Sequence, residues 1–116
     1  MPSSRFDAFD QISKDELTNI QFTGLKSTIT NAYSNLNYFK EKCHKIGLHF
    51  DDLKSIHDLS KFPFTTKEDF RSNYPFDMFA VPLNEIHRIH ASSGTTGKST
   101  IVGYTKNDLD TWSQLT

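Results

Sequence analysis

Ala91-Ser92-Ser93-Gly94-Thr95-Thr96-Gly97-Lys98-Ser99-Thr100 sets Gly94 and Gly97 among the hydroxyls of Ser92, Ser93, Thr95 and Thr96 and brings in the cation of Lys98. Glycine admits backbone conformations with φ > 0, so successive N–H groups can turn toward one anion. The hydroxyls donate further hydrogen bonds, and the lysine adds a mobile positive charge. A run of this kind suits a polyphosphate. On its N-terminal side, Ile86-His87-Arg88-Ile89-His90-Ala91 alternates apolar and polar residues, which predicts a half-buried strand. On its C-terminal side, Ile101-Val102-Gly103-Tyr104 predicts a second strand. Gly97-Lys98-Ser99 invites comparison with a Walker A motif, but that motif needs glycine where Ser92 stands and leads into a helix. Strand–loop–strand is the wrong setting, which argues against a P-loop NTPase.

Away from the loop the chain reads as mainly helical. Ser13-Lys14-Asp15-Glu16 has the form of a capping box, and Leu17, Ile20, Leu25, Ile29, Ala32, Tyr33 and Leu36 follow near helical spacing, with Gly24 a mild interruption. A second helix is expected over Tyr38 to Ile46, ending at Gly47, with Lys40, Lys42 and Lys45 on its solvated face. A short helix or turn is expected from Asp58 to Pro63. Thr65-Thr66-Lys67-Glu68 reads as another capping box, opening a helix that ends before Pro75. Thr105, with Asp108 three residues on, starts a last helix carrying Leu109, Trp112 and Leu115. No stop signal follows Trp112, so the chain is expected to be cut rather than finished.

Length and composition narrow the function. The 116 residues allow one small domain at most. Thirteen basic and fourteen acidic residues give a formal net charge of −1, which offers no electrostatic case for nucleic acid or an anionic membrane. No apolar run has the length of a bilayer-spanning helix, and the first residues lack the apolar core of a secretory signal. Cys43, the only cysteine, has no partner for an intrachain disulfide; a cytoplasmic protein is expected. Apolar residues make up 35%, below the usual share, while large aromatics at Phe50, Phe62, Phe64, Phe70, Phe76 and Phe79 call for more packing surface than so short a chain offers. Exposed aromatic surface of that kind favours self-association.

The pattern Ser92-Ser93-Gly94-Thr95-Thr96-Gly97-Lys98 resembles the phosphate-binding loop of the adenylate-forming enzymes. Phe62-Pro63-Phe64-Thr65-Thr66-Lys67, Asn73-Tyr74-Pro75-Phe76, Met78-Phe79-Ala80-Val81-Pro82 and Val102-Gly103-Tyr104-Thr105 narrow the likeness to the N-terminal region of the phenylacetate–CoA ligases. The family usually carries proline where this chain has Ser99, a change expected to loosen the exit from the loop. The resemblance implies an α/β fold, α+β within this segment: N-terminal helices, a strand–glycine-rich loop–strand hairpin, and an unfinished helix. Residues 1–116 would be an incomplete N-terminal portion of the large adenylation domain, with no second domain.

The implied reaction has two steps. An aryl carboxylate attacks the α-phosphate of ATP, and coenzyme A then displaces AMP. Ser92, Ser93, Gly94, Thr95, Thr96, Gly97 and Lys98 would hold the β- and γ-phosphates, Mg2+ would bridge phosphate oxygens, and no residue of this segment would do covalent chemistry. The family's acyl pocket, adenine site and mobile C-terminal domain have no counterpart here, so the segment is expected to be inactive alone. A non-enzymatic relic or interaction module keeping the fold's opening segment is the alternative.

Other residues read more plainly. Strand alternation puts His87 and His90 on opposite faces, unsuited to one metal. His44, His49 and His57 have no ligand partners at recognisable spacing. Cys43 reads as a structural thiol and Asp51-Asp52 as a solvated turn. Tyr74-Pro75-Phe76 and the Phe76–Phe79 segment read as packing, with the lining of an aromatic acid's pocket as the alternative.

Overall fold

The computed structural model of the protein describes residues 11–92 and 99–116. Helix α1 (Lys14–Asn35) opens on Ser13, whose hydroxyl accepts from the Glu16 amide at 3.1 Å. That satisfies one of the first-turn donors a helix leaves open, and Asp15 and Glu16 lie at the positive end of its dipole. The helix runs through Gly24 unbroken. Helix α2 (Asn37–Lys45) follows after the single extended residue Leu36. It ends as expected at Gly47, which has φ +68°, where a Cβ would be strained. Gly47 N–H donates to the His44 carbonyl at 3.1 Å and Leu48 N–H to that of Cys43 at 2.8 Å, closing the helix in a Schellman motif.

The core belongs to these helices and the chain that wraps them. Ile29, Tyr33 and Leu36 from α1 and its end meet Phe39 and Cys43 of α2, with Leu53 and Phe62 completing the buried set. Phe62 stacks on Phe39, the ring planes 8° apart and the centroids 6.5 Å apart. The Tyr33 hydroxyl is paired with His44 Nε2 at 2.8 Å, so its burial leaves no polar atom stranded. Cys43 is the structural thiol its sequence suggested: it is fully buried, and burial pushes its pKa up. The apolar stripe of α1 is longer than the face that is used, and Ile20 is 43% exposed. Phe64, at 88% exposure, is among the aromatics for which the described residues supply no cover.

Two local expectations need correction. Helix α3 (Lys67–Ser72) is capped by Thr66 with Asp69, one residue later than the Thr65/Glu68 box. Asp69 Oδ2 accepts from Thr66 N–H at 2.7 Å, while the Thr65 hydroxyl is engaged by Tyr38 Oη at 2.9 Å. Lys42, expected on a solvated face, instead reaches across to α3. Its ammonium donates to Asp69 Oδ2 at 2.6 Å and to the Phe64 carbonyl at 3.0 Å. Burial by itself would raise the Asp69 carboxyl, but the bonds from Lys42 and Thr66 hold it below the ordinary carboxylate value.

Strands β1 (Ile86–Ser92) and β2 (Thr100–Thr105) form a two-stranded antiparallel sheet, and α4 (Lys106–Leu115) follows β2 directly. Thr105 caps α4 as expected, accepting from Asp108 N–H at 3.1 Å while Asp108 accepts from Thr105 N–H at 3.0 Å. A bulge at His87 replaces simple alternation: Ile86 pairs with Thr105, and the next pair is Arg88 with Tyr104. The expected half-burial of β1 is confined to Ile86, and Ile89 is 48% exposed. The buried cluster contains no described residue of the hairpin. The Cα radius of gyration of 16.5 Å exceeds the roughly 13 Å of a compact 100-residue domain, consistent with a hairpin standing outside the helical core. Among the described residues no helix is long and apolar enough to cross a membrane.

Candidate functional site

The hairpin brings the two ends of the glycine-rich run together. Its last pair is Ser92 with Thr100, so the chain leaves the ladder at Ser92 and re-enters it eight residues later. Ser93, Gly94, Thr95, Thr96, Gly97 and Lys98 lie outside the described residues; of the predicted phosphate-binding set, Ser92 is described. It is exposed at the end of β1. Its hydroxyl is hydrogen-bonded to that of Thr100 and also accepts from Thr100 N–H at 3.4 Å. Thr100 begins a strand and not a helix, which removes the setting a Walker A loop requires.

Each face of the hairpin is propped by a different part of the chain. Directly opposed residues share a face, so Arg88, His90 and Ser92 lie with Tyr104, Val102 and Thr100. On this face α4 contributes Trp112, whose ring centroid is 5.8 Å from that of Tyr104 and 6.3 Å from that of His90; His90 and Tyr104 meet edge-on at 5.0 Å. His90 is therefore part of an aromatic stack. On the other face the segment after α3 packs against Gly103. A Cβ at Gly103 would stand 2.8 Å from Phe79 Cζ and 3.1 Å from Ile86 Cδ1, so glycine here permits a close approach. A cavity of ≈ 400 Å³ lies beside this contact, lined by Asn31 of α1 together with Phe70, Met78, Phe79, Ile86 and Gly103.

Gly103→Ala should therefore loosen the hairpin from the aromatic segment. Phe79 is held by Phe76, with ring centroids 5.5 Å apart, so the displacement is not free, and overpacking of this kind costs about 1–3 kcal/mol. Urea unfolding checks this, and Phe79→Leu in the same chain should recover part of the loss by removing the clashing ring atoms.

The sequence reading missed Thr100 and the Phe79–Gly103 contact. The signals were present but weak: a hydroxyl residue at each end of the loop, and a glycine inside an apolar strand.

No family model matches the chain. Curated relatives match it almost from end to end. The phenylacetate–coenzyme A ligase of Escherichia coli (strain K12) is 50% identical over 113 residues, 97% of this chain and 26% of the relative. These relatives are phenylacetate–CoA ligases, and the chain is similar to about a quarter of each. The ligase of the same name from Aromatoleum evansii is 51% identical over 109 residues, 94% of this chain and 25% of its own length. That from Thermus thermophilus is 39% identical over 106 residues, 91% and 24% respectively. The chain thus spans about a quarter of the length of the curated relatives it matches.

The fold agrees. A crystal structure of 2-hydroxyisobutyryl-CoA ligase, in complex with 2-HIB-AMP and CoA in the thioesterification state, superposes with a TM-score of 0.74 at 28% identity, covering 84% of this chain and 22% of that one. An open conformation of the same ligase gives 0.71 at 25% identity, covering 84% and 23%. The α/β expectation for this segment holds, with helices preceding an antiparallel hairpin.

Proposed function

We propose that residues 1–116 supply the N-terminal portion of the large adenylation domain of an AMP-forming phenylacetate–CoA ligase, and that Ser92 to Lys98 form its phosphate-binding segment. The observation that carries this reading is the 50% identity over 97% of the chain to a ligase of that name. In the first half-reaction a phenylacetate oxygen attacks the α-phosphorus of ATP. The new acyl O–P bond forms as the bond to the β-phosphate oxygen breaks, and pyrophosphate leaves. In the second, the thiol sulfur of coenzyme A attacks the acyl carbon and AMP departs with the carboxylate oxygen. Ser92, Ser93, Thr95 and Thr96 donate hydroxyl hydrogen bonds to the β,γ-phosphates, Gly94 and Gly97 allow backbone N–H groups to do the same, and Lys98 neutralises charge.

Hydroxyls, amides and an ammonium fit an anion and offer no carboxylate to a divalent cation. No side chain of this segment would hold Mg2+ directly; when bound with ATP it would supply charge neutralisation, alongside the hydroxyls of Ser92, Ser93, Thr95 and Thr96 and the ammonium of Lys98. The substrates are small molecules, an aryl acid, ATP and CoA. The near-zero net charge supports an activity without nucleic acid or membrane, and the single cysteine supports a cytoplasmic setting.

A hybrid enzyme tests the reading. The 113 matching residues of the E. coli ligase are replaced by this chain, and phenylacetate-dependent ATP–pyrophosphate exchange and phenylacetyl-CoA formation are measured. Activity within about tenfold of the parent, a barrier change of about 1.4 kcal/mol, is expected. A folded hybrid without exchange activity would overturn the assignment and favour a non-enzymatic segment.

A further inference from the structure

We infer that Thr100 is a positioning residue for the polyphosphate, acting through the hydroxyl of Ser92; the inference rests on the ligase reading above and deepens it. Ser92 and Thr100 are directly opposed at the end of the hairpin, and their hydroxyls are hydrogen-bonded to each other. The Thr100 amide also points at Ser92 Oγ, at 3.4 Å. Among the described residues, Ser92 Oγ therefore has two hydrogen-bond contacts, both from one residue across the ladder.

A serine hydroxyl on an exposed strand end otherwise has three χ1 wells to choose from and water to bond. The contact with Thr100 selects one well, and it does so before any ligand arrives. Donor counting shows what remains for an anion. The pair has two O–H protons, and the bond between the hydroxyls uses one, whichever residue donates it. The other has no acceptor within the pair itself and is the one the ligase reading directs to phosphate. The pair thus offers one oriented O–H donor at the mouth of the run that the ligase reading assigns to phosphate.

The strand behind the pair is braced. His90 and Tyr104 belong to the same face, two and four ladder pairs back, and both rest on Trp112 of α4. Thr100 is β-branched, so its own χ1 is restricted, which suits a residue that must hold another side chain in place. Thr100 stands outside the Ser92–Lys98 run itself, because its partner comes from the opposite strand.

Two measurements test this with Thr100→Val, which keeps the branched shape and removes the hydroxyl, and Thr100→Ser, which keeps the hydroxyl. In the full 116-residue chain, Hα–Hβ couplings of Ser92 should report a single χ1 well in the unsubstituted chain and in Thr100→Ser. They should report averaging over wells in Thr100→Val, while cross-strand contacts between Ile89 and Gly103 persist in all three. In the hybrid ligase, Thr100→Val should raise KM for MgATP by about tenfold, the scale of one lost hydrogen bond to a charged group, with Thr100→Ser close to the parent. Thioester formation from preformed phenylacetyl-adenylate, where no pyrophosphate is bound, should be unchanged.

Averaged Ser92 couplings in the unsubstituted chain would overturn the pairing. An unchanged KM for MgATP in Thr100→Val, or equal losses in both half-reactions, would overturn the positioning role while leaving the ligase reading intact. An unsubstituted hybrid without activity would overturn the ligase reading and the phosphate role together, and the Ser92 couplings would still decide whether the pair forms.

Discussion

Leu53→Ala is expected to destabilise the chain by about 3 kcal/mol, within the roughly 2.7–5 kcal/mol known for removing a buried leucine side chain beyond Cβ. Leu53 is fully buried, at the point where the chain leaves the 3-10 turn Phe50–Asp52 and enters the cluster of Tyr33, Leu36, Phe39 and Cys43. Its neighbours come from two helices fixed by a one-residue connection and a Schellman motif, so they have little freedom to collapse into the space vacated. The loss combines transfer of the removed carbons with the residual cavity. Against a typical total of about 5–15 kcal/mol, and a buried cluster of seven residues, that loss should leave a large unfolded fraction. The urea midpoint of the full chain checks this, with an unchanged m-value showing that stability alone has moved. Leu59→Ala serves as the comparison: at 43% exposure its cost should stay well below that of Leu53→Ala. Equal costs at the two positions would mean that Leu53 is not the keystone of this core.

The sequence revealed structure wherever the deciding interactions are local. Ser13, Gly47 and the Thr105/Asp108 pair were legible because a cap is made by residues within a few positions of the helix end. Thr65-Thr66-Lys67-Glu68-Asp69 was not, because it holds two overlapping boxes of the same form. The choice between them is made from α2, where Tyr38 occupies the Thr65 hydroxyl and Lys42 pairs with Asp69. Those contacts span 27 residues, beyond any spacing rule. The same distinction separates the parts of the candidate site. The phosphate-binding role proposed for glycine, hydroxyl and lysine was legible because those residues are consecutive in the sequence. The hairpin's exposure, the bulge at His87 and the pairing of Thr100 with Ser92 depend on register and on what covers the sheet, which alternation does not encode.

Lys98→Ala in the hybrid ligase should lower the rate of adenylation by about 10²–10³-fold, the usual cost of removing one group aimed at developing charge. As the bond between the α-phosphorus and the bridging oxygen breaks, negative charge grows on the departing pyrophosphate. In the role proposed for Lys98, its ammonium would interact with that charge more strongly in the transition state than with bound ATP. The loss should therefore fall on kcat of the exchange reaction more than on KM for ATP. Thioester formation from preformed adenylate should be nearly unaffected, since pyrophosphate has already left. The expected pattern differs from that of Thr100→Val, where a preset hydroxyl contributes to ground state and transition state alike and the change appears in KM. Comparing ATP–pyrophosphate exchange with single-turnover thioester formation for both variants separates the two roles. Equal losses in the two half-reactions for Lys98→Ala would place the lysine elsewhere in the cycle, because only the first half-reaction releases the group it is assigned to hold.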